Sequence, residues 1–380
     1  MFEWKILDNI IYGYNPDILK KDNVKKILIF DLDGTLIKTK SGKVFPINGM
    51  DWEFLYPNIP AFINKIDTKN IIICIISNQK GLNNDMKKNE WISFKLKAII
   101  SLIPIDFVFA SLKDDRFRKP IPGSWEFIKS ELFKNIDISI HPLNKKIYFI
   151  GDAFGRNNDH SDTDIKFAQN CNFKFKTPEL YFKSILNKDL LINSKRGTIN
   201  YPIINYYNKE KEDEILDVIN KIVKLNKKVY IMCIGLPASG KSYLRNKILN
   251  KYDFFKYYNI DDINNKKEDN KLINYNFIND YNFIIDDNTN MKKNIRIKHL
   301  QKLSEYTKVG IWFNYDISIC LHLNYLRMYW FGNKLVPKVA YNTLVKNFDN
   351  TEIKNLFDKF IELDKVFPEL NFDNYFRYYF

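Results

Sequence analysis

The sequence predicts an α/β protein with two domains, each a three-layer domain built around a central parallel sheet. Two observations carry this prediction. An apolar strand ends in aspartates at Ile27 to Asp33, and a second apolar strand runs into a glycine-rich loop at Lys228 to Ser242. Short apolar strands alternate with helical stretches after each of them, which is typical of parallel sheets covered by helices. A chain of 380 residues is long enough to build two separate cores.

The composition excludes several classes of protein. The formal net charge of +14 favours a polyanionic partner. An Asn-, Ile- and Lys-rich composition imposed by an AT-rich genome produces the same excess, so charge alone does not decide. Four scattered cysteines without a CxxC pair argue against a zinc site and for a reducing compartment. Because the sequence has neither a signal-peptide pattern nor an apolar run of about 18 residues, we expect a soluble intracellular protein, in either nucleus or cytoplasm.

The domain boundaries follow from changes in the strand-and-helix rhythm. Residues 1–190 are predicted to form the first domain, in which residues 1–25 supply an edge strand or arm. A polar, irregular stretch and an amphipathic helix make residues 191–227 a linker and connecting helix. Residues 228–380 form the second domain.

Asp31 and Asp33 follow the first apolar strand directly, and Gly34 permits a sharp turn after them. Both carboxylates can turn toward one crevice where the strand ends. Since two carboxylates there are unfavourable unless a cation neutralises them, we predict that Asp31 and Asp33 bind Mg²⁺. The alternative is an ordinary strand-turn with solvated acids. The pattern DxDGT after an apolar strand resembles the aspartate-nucleophile phosphatases of the haloacid dehalogenase superfamily, so a haloacid dehalogenase-like Rossmannoid first domain is expected.

Further residues at strand ends or in loops suit the same chemistry. Ser77 follows a strongly apolar strand and can hydrogen-bond a phosphoryl oxygen, although a helix cap is its alternative role. Lys119 can neutralise charge on a phosphoryl group, and Asp152 can complete an oxygen-rich Mg²⁺ site. The expected mechanism is covalent: Asp31 attacks phosphorus to give an aspartyl-phosphate, and Asp33 acts as general acid and then base.

The second domain begins with a full Walker A sequence, GxxxxGK[ST], in its required strand–loop–helix context. The loop amides are predicted to cradle the phosphates of ATP, with Lys241 on the outer phosphates and Ser242 on Mg²⁺. The ATP-binding residues predicted from this loop are Gly235, Pro237, Ala238, Ser239, Gly240, Lys241 and Ser242.

The residues that act on a phosphate acceptor are expected downstream of this loop. Asp261 lies beside a predicted strand end, where a general base can take a proton from a hydroxyl; its neighbour Asp262 is as readily a solvated loop acid. Arg296 on a following helix can face a phosphate, although a surface arginine is the ordinary alternative. Asn324 and Arg327 lie in a helical stretch predicted to form a nucleotide lid.

Read in order, these motifs resemble the bifunctional polynucleotide kinase 3′-phosphatase family over nearly the whole chain. The phosphatase-like motifs are DLDGTLIKTKSGKVFP, DWxxLYP, SNQxG, RKPxxGxW, GDAxGR, DxSxxD and TPE. The kinase-like motifs are GLPASGKS, NxD, DNTN, an arginine nine residues after Asp287, and HxNxxR. The resemblance implies a P-loop kinase as the second domain. It makes Asp31 the nucleophile, Asp33 the acid and base, Asp152 a metal ligand, Asp261 the base that activates a 5′-hydroxyl, and Arg296 a phosphate contact.

The sequence departs from the family at two points. Animal members carry a forkhead-associated domain before the phosphatase, whereas about 25 residues precede the first site strand here, so recruitment by phosphorylated scaffolds is not expected. Tyr325 stands in the lid where the family usually has arginine, so we expect nucleotide gripping to differ there.

The sequence thus predicts a DNA end-healing enzyme that removes 3′-phosphates and phosphorylates 5′-hydroxyls, acts as a monomer and prepares breaks for a DNA ligase. Backbone contacts to DNA give the positive charge a role without sequence preference. RNA or tRNA end repair is the competing enzyme hypothesis, since nothing in the sequence reads a 2′-hydroxyl. A nucleic-acid-binding scaffold with silent catalytic domains is a third, and a metabolite phosphatase fused to a small-molecule kinase fits the charge least.

Overall fold

The computed structural model describes residues 2–21, 24–131, 146–183, 209–261 and 275–363. These fall into two compact units, the first up to residue 183 and the second made of residues 209–330 and 334–363. The predicted linker lies outside the described residues up to position 208, and its last part forms the helix Lys209–Leu225. Among the described helices, none is both long and apolar enough to cross a membrane.

The first unit contains a sheet of seven strands and a small two-stranded sheet. The strands are β1 (Glu3–Ile6), β2 (Ile10–Tyr14), β3 (Lys26–Phe30), β4 (Ile37–Lys38), β5 (Glu53–Phe54), β6 (Ile71–Asn78), β7 (Phe107–Ser111), β8 (Ile147–Ile150) and β9 (Lys174–Lys176). The helices are Ile59–Ile63, Asp85–Glu90, Lys97–Leu102, Gly123–Glu131, Thr163–Asn170 and Pro178–Phe182, with a π-helical segment Trp91–Leu96 and a 3₁₀ turn Pro16–Lys20.

The large sheet has the strand order β1-β2-β7-β6-β3-β8-β9. β7, β6, β3, β8 and β9 pair in parallel. The β1–β2 hairpin adds antiparallel strands to the β7 edge. The expected edge strand in residues 1–25 is therefore present. Because β3 lies between β6 and β8, the segments that follow these three strands open onto one crevice at the carboxyl edge of the sheet.

Two apolar layers cover the sheet, as the predicted three-layer architecture requires. Ile27 and Ile29 face one layer, which includes residues of the helices Gly123–Glu131 and Thr163–Asn170. Leu28 and Phe30 face the other layer, which includes residues of Ile59–Ile63 and of the helical stretch after Asp85. The alternation follows from the two-residue period of a strand, and burial on both faces explains why the strands read as continuous apolar runs.

The second unit is built on a five-stranded parallel sheet of order β11-β12-β10-β13-β14. Its strands are β10 (Val229–Gly235), β11 (Lys256–Tyr258), β12 (Phe283–Asp286), β13 (Thr307–Phe313) and β14 (Lys359–Leu363). Its helices, besides Lys209–Leu225, are Lys241–Lys251, Lys293–Leu300, Ile317–Phe331 and Lys338–Lys346, with 3₁₀ turns Tyr275–Asp280 and Ile353–Leu356. β10 is central, so the glycine-rich loop leaves the middle of the sheet. Both units thus have the α/β class that the sequence predicts.

Candidate active sites

The first site is organised around a buried ion pair between Asp31 and Lys119. The Lys119 Nζ atom lies 2.6 Å from Asp31 Oδ1 and 2.8 Å from Asp164 Oδ1. Burial alone would lower the pKa of Lys119, but the Asp164 and Asp31 carboxylates outweigh it and raise that pKa. The lysine is therefore a permanent cation against Asp31, where it can also meet a phosphoryl oxygen.

Three carboxylates meet beside this lysine. Oxygens of Asp31, Asp152 and Asp164 lie within 4.8 Å of one another, the one such cluster found among the described residues. Burial, followed by the charge of Asp164, raises the pKa of Asp152 to about 6. Burial also raises the pKa of Asp31 well above its ordinary value, and Lys119 only partly offsets this effect.

A buried cluster of this kind fits a divalent cation. One ammonium group leaves the three carboxylates with excess negative charge, and oxygen-only ligands are those that hard cations such as Mg²⁺ prefer. A cation there would keep Asp31 and Asp152 ionised at neutral pH. The predicted ligands Asp31 and Asp152 are thus brought together. Asp164, which the sequence analysis did not select, joins them from the helix Thr163–Asn170.

Asp33 was predicted as both a metal ligand and a general acid, but its carboxylate is not part of this cluster. Its Oδ2 atom accepts a hydrogen bond of 2.5 Å from Gln79 Nε2, and its Oδ1 atom lies 3.9 Å from Lys95 Nζ. Gln79 Nε2 also lies 2.9 Å from Ser77 Oγ, so Ser77 and Asp33 are tied to one amide. The Asp33 side chain is therefore not placed to bind a metal ion in this cluster. Its position at the crevice is compatible with the role of a proton donor.

Gly34 and Gly151 allow the acidic residues to approach each other. Gly34 has a φ of +79°, and a Cβ atom there would lie 2.5 Å from Asp152 Oδ2. A Cβ atom on Gly151 would lie 2.3 Å from Asp164 Oδ2. Any side chain at either glycine would therefore push a carboxylate out of the cluster. Arg156 supports Asp152 from behind by donating to its carbonyl oxygen at 3.1 Å.

In the second unit, the glycine-rich loop wraps around the ammonium group of Lys241. Lys241 Nζ donates to the carbonyl oxygens of Leu236 at 2.6 Å and Gly235 at 3.1 Å. Ala238 and Gly240 have φ values of +61° and +93°, so the loop turns through the left-handed region as anion-binding loops do. Tyr341 fixes the loop by donating to the Pro237 carbonyl oxygen at 3.1 Å.

Asp287 lies at the end of β12, next to the strand that leads into this loop. The Nη1 atom of Arg245 donates to Asp287 Oδ2 at 2.9 Å. Burial raises the pKa of Asp287, whereas Arg245, Lys241 and a hydrogen bond from Ser242 lower it. The contact with Ser242 places a carboxylate beside the predicted Mg²⁺ ligand. The sequence analysis names Asp287 only as the start of the motif DNTN and does not select it as a site residue, although its position directly after an apolar strand was a usable signal.

Asp261 is exposed and lies just after β11, in a helical turn that begins at Ile260. The backbone N–H of Asp261 donates to Asn259 Oδ1 at 2.9 Å, and that of Ile260 donates to Asn288 Oδ1 at 3.0 Å. Asn259 Nδ2 in turn donates to the Asp287 carbonyl oxygen at 2.7 Å. Two asparagines therefore hold the backbone that carries this accessible carboxylate, and accessibility is what a general base requires. Asp262 lies outside the described residues.

Arg296 does not lie where the sequence analysis placed it. Its side chain is fully buried, and its guanidinium donates to the carbonyl oxygens of Asn290 at 2.9 Å, Met291 at 2.7 Å and Asp349. These donors face the protein backbone, so we do not retain Arg296 as a phosphate-binding residue. The helix Lys293–Leu300 turns this position inward because Leu300, four residues later on the same face, packs in the core.

The two predicted lid residues, Asn324 and Arg327, differ in burial. Asn324 is fully buried; its Nδ2 donates to the Val336 carbonyl oxygen at 2.9 Å and its Oδ1 accepts from the Val336 N–H at 3.2 Å. Arg327 Nη2 donates to the same Asn324 oxygen at 3.0 Å. Burial lowers the pKa of Arg327, and the charges of Tyr341 and Asp261 offset part of this effect. Asn324 thus positions the backbone at Val336, and Arg327 is held against Asn324.

Comparison with known proteins identifies relatives of this chain. A family profile described as polynucleotide kinase 3 phosphatase matches residues 26–182. The bifunctional polynucleotide phosphatase/kinase of Schizosaccharomyces pombe is 32% identical over 253 residues, covering 64% of this chain and 55% of that protein. The putative bifunctional polynucleotide phosphatase/kinase of Acanthamoeba polyphaga mimivirus is 29% identical over 396 residues, covering 94% of this chain and 89% of that protein.

A further relative is named for the phosphatase activity alone. The polynucleotide 3′-phosphatase of Saccharomyces cerevisiae is 31% identical over 207 residues, covering 41% of this chain and 87% of that protein. By contrast, the chain spans only about half the length of the fission yeast relative. The match to the budding yeast protein therefore covers most of a protein that is named for the phosphatase alone. The chain belongs to the polynucleotide kinase 3 phosphatase family.

Proposed function

We propose that this protein heals broken DNA strands: the first unit hydrolyses 3′-phosphate ends, and the second transfers the γ-phosphate of ATP to 5′-hydroxyl ends. The observation that carries the proposal is the position of Asp31, held by Lys119 at 2.6 Å beside a cluster of acidic oxygens. The relatives named for both activities, and the mimivirus relative matched along most of its length, support assigning one activity to each unit.

In the phosphatase reaction, a carboxylate oxygen of Asp31 attacks the phosphorus atom and forms an aspartyl-phosphate. The bond from phosphorus to the sugar O3′ breaks, and Asp33 gives its proton to that oxygen. Asp33 then takes a proton from water, which attacks the aspartyl-phosphate and releases inorganic phosphate. Lys119 and Ser77 hold phosphoryl oxygens. Mg²⁺ held by Asp31, Asp152 and Asp164 would supply charge neutralisation between the anionic nucleophile and the anionic ester.

In the kinase reaction, Asp261 accepts the proton of a 5′-hydroxyl. The oxygen of that hydroxyl attacks the γ-phosphorus of ATP, and the bond from this phosphorus to the oxygen of ADP breaks. The glycine-rich loop and Lys241 hold the phosphates. Ser242 and the neighbouring Asp287 are the residues suited to hold Mg²⁺ there. Asn324 and Arg327, in the predicted lid, stay in this proposal as ATP-binding residues.

DNA is the substrate that we propose, with a DNA ligase consuming the product ends and the protein acting as a monomer. A formal net charge of +14 suits sequence-independent binding to a phosphate backbone. The same charge and chemistry suit RNA ends, which remain the second candidate. A DNA-binding scaffold without catalysis is disfavoured by the buried Asp31–Lys119 pair, because such a pair is expensive to maintain for binding alone.

The test is a nicked duplex with a 3′-phosphate and a 5′-hydroxyl, incubated with the protein, Mg²⁺ and ATP. We expect the wild type to convert both ends, Asp31→Asn to lose only the phosphatase, and Lys241→Ala to lose only the kinase. An RNA nick of the same sequence runs in parallel. Conversion of RNA ends alone would replace the DNA assignment. Tight DNA binding without conversion of either end would support the scaffold instead.

A further inference from the structure

Lys95 is a buried lysine whose charge the reaction described above does not use. It lies in the π-helical segment Trp91–Leu96, between the helices Asp85–Glu90 and Lys97–Leu102. Single π turns inside helices are frequent at functional sites. The Lys95 side chain is only 4% exposed, and its ammonium end reaches Asp33 at the crevice.

The ammonium group of Lys95 is poorly satisfied within the described residues. The ion pair that it forms there is with Asp33 Oδ1, at a distance of 3.9 Å, too long for a hydrogen bond. The other Asp33 oxygen is taken by Gln79 Nε2 at 2.5 Å. A buried ammonium group normally needs hydrogen-bond acceptors as well as a nearby counter-charge. Its donors are therefore available to an anion that enters the crevice.

The position of Lys95 indicates which part of a substrate would supply that anion. Lys119 and Ser77 lie where the transferred phosphoryl group binds, whereas Asp33 would protonate the oxygen that leaves. A cation within 4 Å of Asp33 lies on the leaving-group side. In a polynucleotide, the nearest anion on that side is the phosphodiester that joins the terminal nucleotide to the preceding one.

We propose that Lys95 binds this flanking phosphodiester and thereby makes the phosphatase prefer strand ends over 3′-mononucleotides. The inference rests on the proposed function and assigns Lys95 as a substrate-binding residue. The inference also explains why the residue at this position is a lysine. Lysine contacts any phosphate as a point charge, which suits a site that does not read bases.

The experiment compares two substrates that differ only in the flanking charge. One is an oligonucleotide with a 3′-phosphate and a natural flanking phosphodiester, and the other carries a neutral methylphosphonate at that linkage. For the natural substrate, Lys95→Met is expected to lower kcat/KM about ten- to a hundredfold, as loss of a charged hydrogen bond predicts. For the methylphosphonate substrate, the wild type and Lys95→Met are expected to differ less than about threefold. Lys95→Arg should retain most of the activity.

The matched control is Lys97→Met, which removes an exposed charge from the adjoining helix and should leave both substrates unaffected. The comparison of the two substrates with the wild-type protein does not depend on whether a variant folds. The neutral linkage should lower the kcat/KM of the wild type. Equal losses for Lys95→Met on both substrates, or no change in the wild type with the neutral linkage, would overturn the inference. A wild type inactive on every 3′-phosphate would instead refute the proposed function, and this inference with it.

Discussion

The side-chain amide of Asn78 holds the backbone of Lys119 on both sides. Asn78 Oδ1 accepts from the Lys119 N–H at 3.0 Å, and Asn78 Nδ2 donates to the Lys119 carbonyl oxygen at 3.1 Å. Asn78 ends β6, and Lys119 lies in a loop that has no regular secondary structure. The strand end therefore fixes the loop that aims the Lys119 ammonium group at Asp31.

Replacing Asn78 should impair the phosphatase without affecting the kinase. Asn78→Ala removes both contacts, and we expect phosphatase kcat to fall about ten- to a hundredfold, since small displacements of catalytic groups have effects of this size. Asn78→Asp keeps the acceptor and should lose less. Both activities are measured on the same preparation, so the kinase serves as the internal control. A parallel loss of both activities would mean that the substitution unfolds the protein rather than moving Lys119.

The acidic cluster should make the metal-free protein less stable at neutral pH. Folding raises the pKa of Asp152 from 3.8 to about 6, so the fold favours the protonated carboxyl. Its contribution to stability is present below about pH 4 and is lost as the pH rises through 6. Asp152→Asn removes the charge. In the presence of a chelator at pH 7, it should raise the stability by about 2 kcal/mol, or a few degrees in Tm.

The measurement is thermal unfolding of the wild type and Asp152→Asn with and without Mg²⁺, at pH 5 and pH 7. The stabilisation by Asp152→Asn should be smaller at pH 5, where the wild-type carboxyl is largely protonated. Mg²⁺ should raise the Tm of the wild type more than that of the variant. An equal response of both proteins to Mg²⁺ would place the cation away from Asp152.

Arg296 tests whether a predicted phosphate contact is a structural residue. Its guanidinium donates to three backbone carbonyl oxygens, those of Asn290, Met291 and Asp349. Arg296→Met would leave these oxygens without their donor, so we expect the second unit to lose about 3 kcal/mol of stability. The KM values for ATP and for DNA should not change in the protein that remains folded. A normal Tm with a raised KM would restore the phosphate-binding role.

The position of the strand-end residues could be predicted from the sequence. The last side chains of parallel strands lie at one edge of the sheet, wherever the helices pack. Asp31, Ser77 and Asp152 were found in this way. Asp164 could not be found so, because its place in the cluster depends on how the helix Thr163–Asn170 rotates against the sheet. The same reason explains the error at Arg296, whose helix turns it inward.

Asn288 offers the sharpest test of how the kinase base is held. Its Oδ1 atom accepts from the Ile260 N–H at 3.0 Å, and its Nδ2 atom donates to Asp286 Oδ1 at 2.7 Å. Because Ile260 precedes Asp261 directly, Asn288→Ala frees the helical turn that carries the base. We expect kinase kcat to fall about tenfold while the phosphatase stays unchanged.

A second substitution separates loss of this contact from general damage. Asn288→Asp keeps an acceptor for Ile260 but puts a carboxylate against the fully buried Asp286, so we expect it to destabilise the second unit more than alanine does. The exposed Asn250→Ala is the control. If Asn288→Ala lowered the Tm as much as Asn288→Asp and left kcat unchanged in the folded fraction, Asn288 would support the sheet and not the base. We expect Asn288 to support the base, because its side-chain oxygen accepts from the Ile260 N–H beside Asp261. Asn288→Ala removes this hydrogen bond, whereas Asn288→Asp retains it.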